Sequence, residues 1–178
     1  DRMVWVADYP SHGAARFPDR LAIIADTGRY TYRELDQASD RFAAFLLASG
    51  LKPGDRIAYW GKNNEMYFPV VFGCLRSGIV LVPLNWRCAP AEIAYILQDS
   101  GSKLLIHDKE FAAAADQATA AFGSKPRRLV AWGGDDPATS LAAVINQGPV
   151  PTLQRFADVD ACALMMYTSG TTGKPKGV

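Results

Sequence analysis

The run YTSGTTGKPKGV occupies residues 167–178. Its glycines at 170, 173 and 177 permit positive φ and let successive backbone amides turn toward one anion. Thr168, Ser169, Thr171 and Thr172 add hydroxyl donors, while Lys174 and Lys176 add positive charge. Pro175 biases Lys174 toward an extended backbone, so the Lys-Pro-Lys segment projects its charges in a defined direction. Each element suits a loop that holds the β- and γ-phosphates of a nucleotide without base chemistry.

Two other readings compete on residue type alone. A Walker A loop requires G-x-x-x-x-G-K-S/T. Thr168 stands where the first glycine belongs, and Pro175 follows Lys174 where Ser or Thr would hold magnesium, so this P-loop NTPase reading fails twice. A disordered polar tail is the bland reading, because segments rich in Gly, Ser and Thr at chain ends are commonly that.

Elements able to position such a loop alternate along the chain. Leu21–Ala25 reads as a strand, with a turn over 26–29 after it. Thr31 and Glu34 form a capping box, and Leu35, Ala38, Phe42, Phe45 and Leu46 then recur at helical spacing until Gly50. A strand over 56–60 follows the turn Lys52-Pro-Gly-Asp55. Asn63 or Asn64 caps a second helix reaching about Ser77, in which Pro69 must kink the helix or shift its start. Residues 79–82 form a strand buried on both faces, and Pro90 opens a third helix with Ile93, Ile96 and Leu97 inward. A strand over 103–106, an alanine-rich helix over 111–122 and a strand over 128–132 complete the regular alternation. Loops surround one short helix between Gly133 and Pro151, and 162–167 reads as a last buried strand feeding the Gly-rich run. This order predicts an α/β fold, a doubly wound and mostly parallel sheet whose ligands sit at the carboxyl ends of its strands.

Bulk properties exclude several classes. Of 178 residues, 49% are hydrophobic and 21% charged, as in an ordinary globular domain. The net charge of +1 and the lack of a basic run longer than Arg127-Arg128 argue against nucleic-acid binding. No stretch approaches 18 uninterrupted apolar residues, so no membrane span is expected. Cys74, Cys88 and Cys162 show no CxxC spacing and read as reduced thiols of a cytoplasmic protein, with Cys74 and Cys162 as small core residues. His12 and His107 read as surface residues, and no cluster has metal-ligand spacing. Glu65 reads as an acid favoured by a helix start, and Trp60, Trp86 and Trp132 as packing.

The string at 167–178 resembles the phosphate-loop signature of the adenylate-forming, AMP-binding superfamily. That superfamily includes acyl- and aryl-CoA synthetases, peptide-synthetase adenylation domains and firefly-type luciferases. YTYRELDQASDRFAAFL at 30–46, CLRSGIVLVPLN at 74–85 and AEIAYILQDSGSKLLI at 91–106 are similar to further motifs of the family, in the same order. The resemblance implies that residues 1–178 are the N-terminal portion of the AMP-binding domain, with a flavodoxin-like sheet, ending in the phosphate loop. The run PLNWRCAPAEI is similar to fatty-acyl and aryl-CoA synthetases, although Ala89 replaces the Ser or Thr cap expected before Pro90.

By this resemblance Thr168, Ser169, Gly170, Thr171, Thr172 and Lys176 contact the nucleotide phosphates, and Lys174 is a solvated charge. The implied reaction joins a carboxylic acid to ATP, releasing pyrophosphate, and then forms a thioester with coenzyme A. No catalytic residue is expected within this stretch. The magnesium-binding acid, the nucleoside contacts, the acyl pocket and the mobile C-terminal domain are expected beyond Val178. The chain alone is then expected to be inactive. Its apolar surface at 161–166 is expected to be exposed or covered by a second copy, as in a homodimer. A peptide-synthetase-type adenylation domain and a non-catalytic flavodoxin-like nucleotide-binding module are the alternatives. A flavodoxin would carry its phosphate loop after the first strand, where ADTG is too short.

Overall fold

The computed structural model describes residues 5–168 and 175–178. They form two compact units. One comprises Asp1–Pro53, Asn63–Ile79 and Ala142–Ala161; the other comprises Gly54–Lys62, Val80–Leu141 and Cys162–Val178.

In the first unit, a 3-10 turn at Val6–Asp8 leads into helix α1 (Tyr9–Arg16), strands β1 (Leu21–Ala25) and β2 (Gly28–Thr31), and helix α2 (Tyr32–Ala48). The capping box forms as expected. Glu34 N donates to Thr31 Oγ1 at 3.2 Å, and Thr31 N donates to Glu34 Oε2 at 2.8 Å. Leu35, Ala38, Phe42 and Leu46 are buried along one stripe, and burying a side chain the size of Phe42 or Leu46 contributes about 1.5–3 kcal/mol. That stripe meets helix α3 (Tyr67–Ser77). Gly73 makes the close approach possible, because a Cβ there would lie 2.7 Å from Phe42 Cδ1. Pro69 falls in the first turn of α3, where its missing N–H leaves no hydrogen bond broken, so it shifts the start rather than kinking the helix. Asn64 does not cap α3; its Oδ1 accepts from Met66 N at 2.9 Å in the preceding turn. Gly78, at φ +72°, ends the helix in the left-handed conformation.

An ionic cluster ties this unit together. Arg76, fully buried on α3, donates from Nε to Ala7 O and from Nη1 to Asp36 O and Asp40 Oδ1. Its Nη2 reaches Ser11 Oγ and Asp36 Oδ1, the latter at 2.6 Å. Arg155 adds a second cation, 2.8 Å from Asp8 and 3.3 Å from Asp40.

The second unit carries the sheet. Strands β3 (Arg56–Trp60), β4 (Val80–Pro83), β5 (Leu104–His107) and β6 (Arg127–Val130) are all parallel, in the order β4-β3-β5-β6. The chain moves one way from β3 to β4 and then returns past β3 to β5, which makes the carboxyl ends of β3 and β5 the switch point of the sheet. Helices α4 (Pro90–Ser100) and α5 (Ala112–Thr119) belong to this unit. Ile93, Ile96 and Leu97 of α4 pack with Ala115 and Ala118 of α5, Trp60, Val82 and Leu105. Ala89 precedes α4 without a capping bond, as its side chain requires. A short helix, α6 (Leu141–Asn146), lies within the loop-rich stretch as expected.

The structure corrects several expectations. β1 does not enter the parallel sheet; it pairs antiparallel with β2 across a two-residue turn, Ile24 facing Arg29. The residues after Ala25 were expected to turn into a helix, but Gly28–Thr31 first returns as a strand. The segment 162–167 is not a buried strand. Among the described residues, a bridge between Leu81 and Leu164 is what joins it to β4, and Leu164 and Met166 are 41% and 56% exposed. Cys162 is exposed with it, whereas Cys74 is core. His107, finally, is 1% exposed. It ends a strand buried over its whole length, and its Nδ1–H donates to Asp108 O at 2.8 Å. Burial lowers its pKa.

Candidate functional site

The Gly-rich run leaves the sheet beside β4. Leu81 N donates to Ala163 O at 3.1 Å and Met165 N to Leu81 O at 2.9 Å, so residues 163–165 run parallel to β4. Continuing in that direction carries the chain past the carboxyl end of the sheet, where ligands of open α/β sheets bind. There β7 (Tyr167–Thr168) pairs antiparallel with β8 (Lys176–Gly177). Met166 and Val178 exchange backbone hydrogen bonds of 2.9 and 2.8 Å at the base of this hairpin.

Strand alternation gives the hairpin two faces. Thr168 and Lys176 are directly opposite partners, so their side chains share one face, and both residues are exposed. Tyr167 and Gly177 are the other pair. The Tyr167 ring packs against the core cluster of α4, α5 and the sheet, and its hydroxyl donates to Asp99 Oδ2 at 2.7 Å. Burial, then the bond to Asp99, raises the pKa of the phenol. Thr168 and Lys176 are thus brought together; Ser169, Gly170, Thr171, Thr172 and Lys174 lie outside the described residues.

Other polar groups gather at the carboxyl ends of the strands. Asp108, just after β5, is buried and accepts from Lys62 N at 2.8 Å through Oδ2, while its Oδ1 has no partner among the described residues. Burial raises its pKa. Lys62 Nζ pairs with Glu110 at 2.9 Å. Trp60 is packing, stacked on Phe111 at 5.2 Å, but Trp86 is 37% exposed with Arg87 4.3 Å and Lys62 5.4 Å from its ring centre. In the other unit, Glu65 is buried and accepts from the Thr27 hydroxyl of the β1–β2 turn, a contact that outweighs its place near a helix start. Sequence reasoning missed Asp99 and Asp108. Asp108 carried a usable signal, since it follows an apolar strand at a carboxyl end; Asp99 carried none.

Among the described residues, no group of three or more His, Cys, Asp or Glu side chains converges to hold a metal ion. Among those residues, too, no helix is long and apolar enough to cross a membrane.

The profile of the AMP-binding enzymes matches residues 11–178. Fatty acid–acyl-carrier-protein ligase ScoC of Streptomyces coeruleorubidus is 41% identical over 168 residues, 94% of this chain and 31% of that protein. A feruloyl-CoA synthase of an Amycolatopsis species is 36% identical over 173 residues, 97% of this chain and 32% of that protein. Among solved structures, the inhibitor-bound N-terminal domain of FACL13 from Mycobacterium tuberculosis is similar with a TM-score of 0.79 and 33% identity, covering 95% of this chain and 42% of that one. The chain spans about a third of the length of the curated relatives it matches.

Proposed function

This chain belongs to the family of AMP-binding enzymes, and from that premise we propose that it is the N-terminal, phosphate-holding part of an ATP-dependent ligase joining a fatty or aryl carboxylic acid to a thiol. In the first step a carboxylate oxygen attacks the α-phosphorus of ATP, and the bond to the β-phosphate oxygen breaks. Pyrophosphate leaves and an acyl-adenylate forms. In the second, the sulfur of coenzyme A attacks the acyl carbon, and AMP departs with the former carboxylate oxygen. A free carboxylate is a poor acyl electrophile; the mixed anhydride supplies a good leaving group.

The observation that carries this reading is the hairpin beyond the carboxyl end of the sheet, which offers the Thr168 hydroxyl and the Lys176 ammonium from one exposed face. In this reading Thr168, Ser169, Gly170, Thr171 and Thr172 donate hydroxyl and amide hydrogens to the β- and γ-phosphates. Lys176 neutralises the charge that builds as pyrophosphate departs. A second reading concerns the acceptor: the relative that is 41% identical is a fatty acid–acyl-carrier-protein ligase, which favours a carrier-protein thiol in place of free coenzyme A.

Acid-dependent exchange of pyrophosphate into ATP tests the first step in the full-length protein. Lys176→Ala is expected to slow exchange by about a hundredfold, the usual cost of one positioned donor. An unchanged rate removes the hairpin from the reaction. Offering free coenzyme A and a phosphopantetheinylated carrier protein in turn decides the acceptor. Thiol consumption with coenzyme A supports the first reading, and transfer to the carrier alone establishes the second.

A further inference from the structure

We propose that Asp99 and Tyr167 are a positioning pair for the phosphate-holding hairpin, a role that rests on the reading given above. Tyr167 immediately precedes Thr168, so the direction of its side chain sets the direction of the next one. Its ring faces the core cluster and its hydroxyl reaches Asp99 Oδ2 at 2.7 Å. Asp99 lies in the last turn of α4, a helix held by buried Ile93, Ile96 and Leu97, and Arg56 Nε donates to the adjoining Ser100 O. The acceptor is therefore fixed from below and from the side.

Across the hairpin, the partner of Tyr167 is Gly177. A Cβ at Gly177 would lie 3.1 Å from Tyr167 Cζ and 3.2 Å from its hydroxyl, so the ring occupies the space that a side chain there would need. The strands themselves are only two residues each, too short to hold a register by their own ladder. The hydroxyl–carboxylate bond supplies a fixed point from a neighbouring helix. It is placed one residue before Thr168, and the cross-strand partner of Tyr167, Gly177, adjoins Lys176. Rotation of Tyr167 out of its seat turns the exposed pair away from a bound polyphosphate.

The test uses the full-length protein and the pyrophosphate-exchange assay, with KM for MgATP and the thermal midpoint as readouts. Tyr167→Phe and Asp99→Ala are each expected to raise KM by about threefold to tenfold, the effect of one hydrogen bond. Asp99→Asn keeps an acceptor and is expected to stay within about twofold of the parent. The double variant Tyr167→Phe/Asp99→Ala is expected to be no worse than either single one, because both remove the same bond. Additive effects, Asn as damaging as Ala, or a lowered midpoint with unchanged KM would each overturn the pair. Where Asp99→Ala fails to fold, Tyr167→Phe carries the test, since it retains the packed ring. Lys176→Ala separates the two ideas. If it slows exchange while Asp99→Ala and Tyr167→Phe keep the parental KM, only the pair falls. If it leaves exchange untouched, the phosphate-holding role falls and the pair with it.

Discussion

Replacing Arg76 by alanine should be among the most damaging single changes available in the first unit. All five N–H groups of the guanidinium are engaged, with acceptors on Ala7, Ser11, Asp36 and Asp40. Removing it strands Asp36 and Asp40, one turn apart on α2, as neighbouring like charges 22% and 14% exposed. Breaking a buried ion pair from one side costs about 3–5 kcal/mol. Arg155 remains 3.6 and 3.3 Å from the two carboxylates and, with its side chain 28% exposed, offsets roughly 1 kcal/mol. The net loss expected is therefore about 3 kcal/mol, which for a chain of this size lowers the midpoint by roughly 6–12 °C. Arg76→Lys keeps the charge but has three donors in place of five, and should lie between the two. Thermal unfolding followed by circular dichroism at neutral pH reads both. A loss below about 1 kcal/mol for Arg76→Ala would show that the cluster is not a stabilising centre.

Two further outcomes follow from single residues. The folded-state pKa of buried His107 lies below its unfolded value of about 6.5, so the unfolded chain takes up the proton first as pH falls. This contribution is fully present above about pH 6.5 and is lost as pH falls toward the folded pKa. Urea midpoints measured between pH 7 and 5 should decline less steeply for His107→Asn, and parallel profiles would exclude the residue. Gly78→Ala should destabilise by about 1–3 kcal/mol, since φ is +72° and the new Cβ would meet the Phe156 ring at 2.7 Å; an unchanged urea midpoint would mean that α3 can end in another way.

What the residues announce in advance is mostly what is local. The capping box at Thr31 and Glu34, the stripe from Leu35 to Leu46 and the proline opening α4 act within one or two turns, so their consequences can be worked out from spacing. The parallel sheet is legible for a related reason: strands such as β5, buried throughout, carry no polar alternation. The failures share a different origin. Residues 162–167 look as apolar as β5, yet burial depends on whether a neighbour covers them, and among the described residues β4 touches them through a single bridge. His107 is polar, but its place in the sheet decides its fate. The string proposed to hold phosphates is legible as chemistry, whereas the side of the hairpin on which Thr168 and Lys176 stand is a matter of register. The bond from Tyr167 to Asp99 spans 68 positions of sequence, and no pattern within either segment points to the other.

The bridge from Leu81 to Leu164 also has a consequence for the order of assembly. It joins two segments separated by nearly half of the chain, so the closure entropy of the intervening loop must be met before the contact gives anything back. The β1–β2 hairpin and the adjacent βαβ connections close far shorter loops. The segment bearing Thr168 and Lys176 therefore joins the sheet through a contact distant in sequence, as the Arg155–Asp8 pair, 147 positions apart, does within the other unit. Its attachment draws on β4 through that bridge and on α4 through the Tyr167–Asp99 bond and the packing of the Tyr167 ring, so a change that loosens either element reaches the face that carries Thr168 and Lys176.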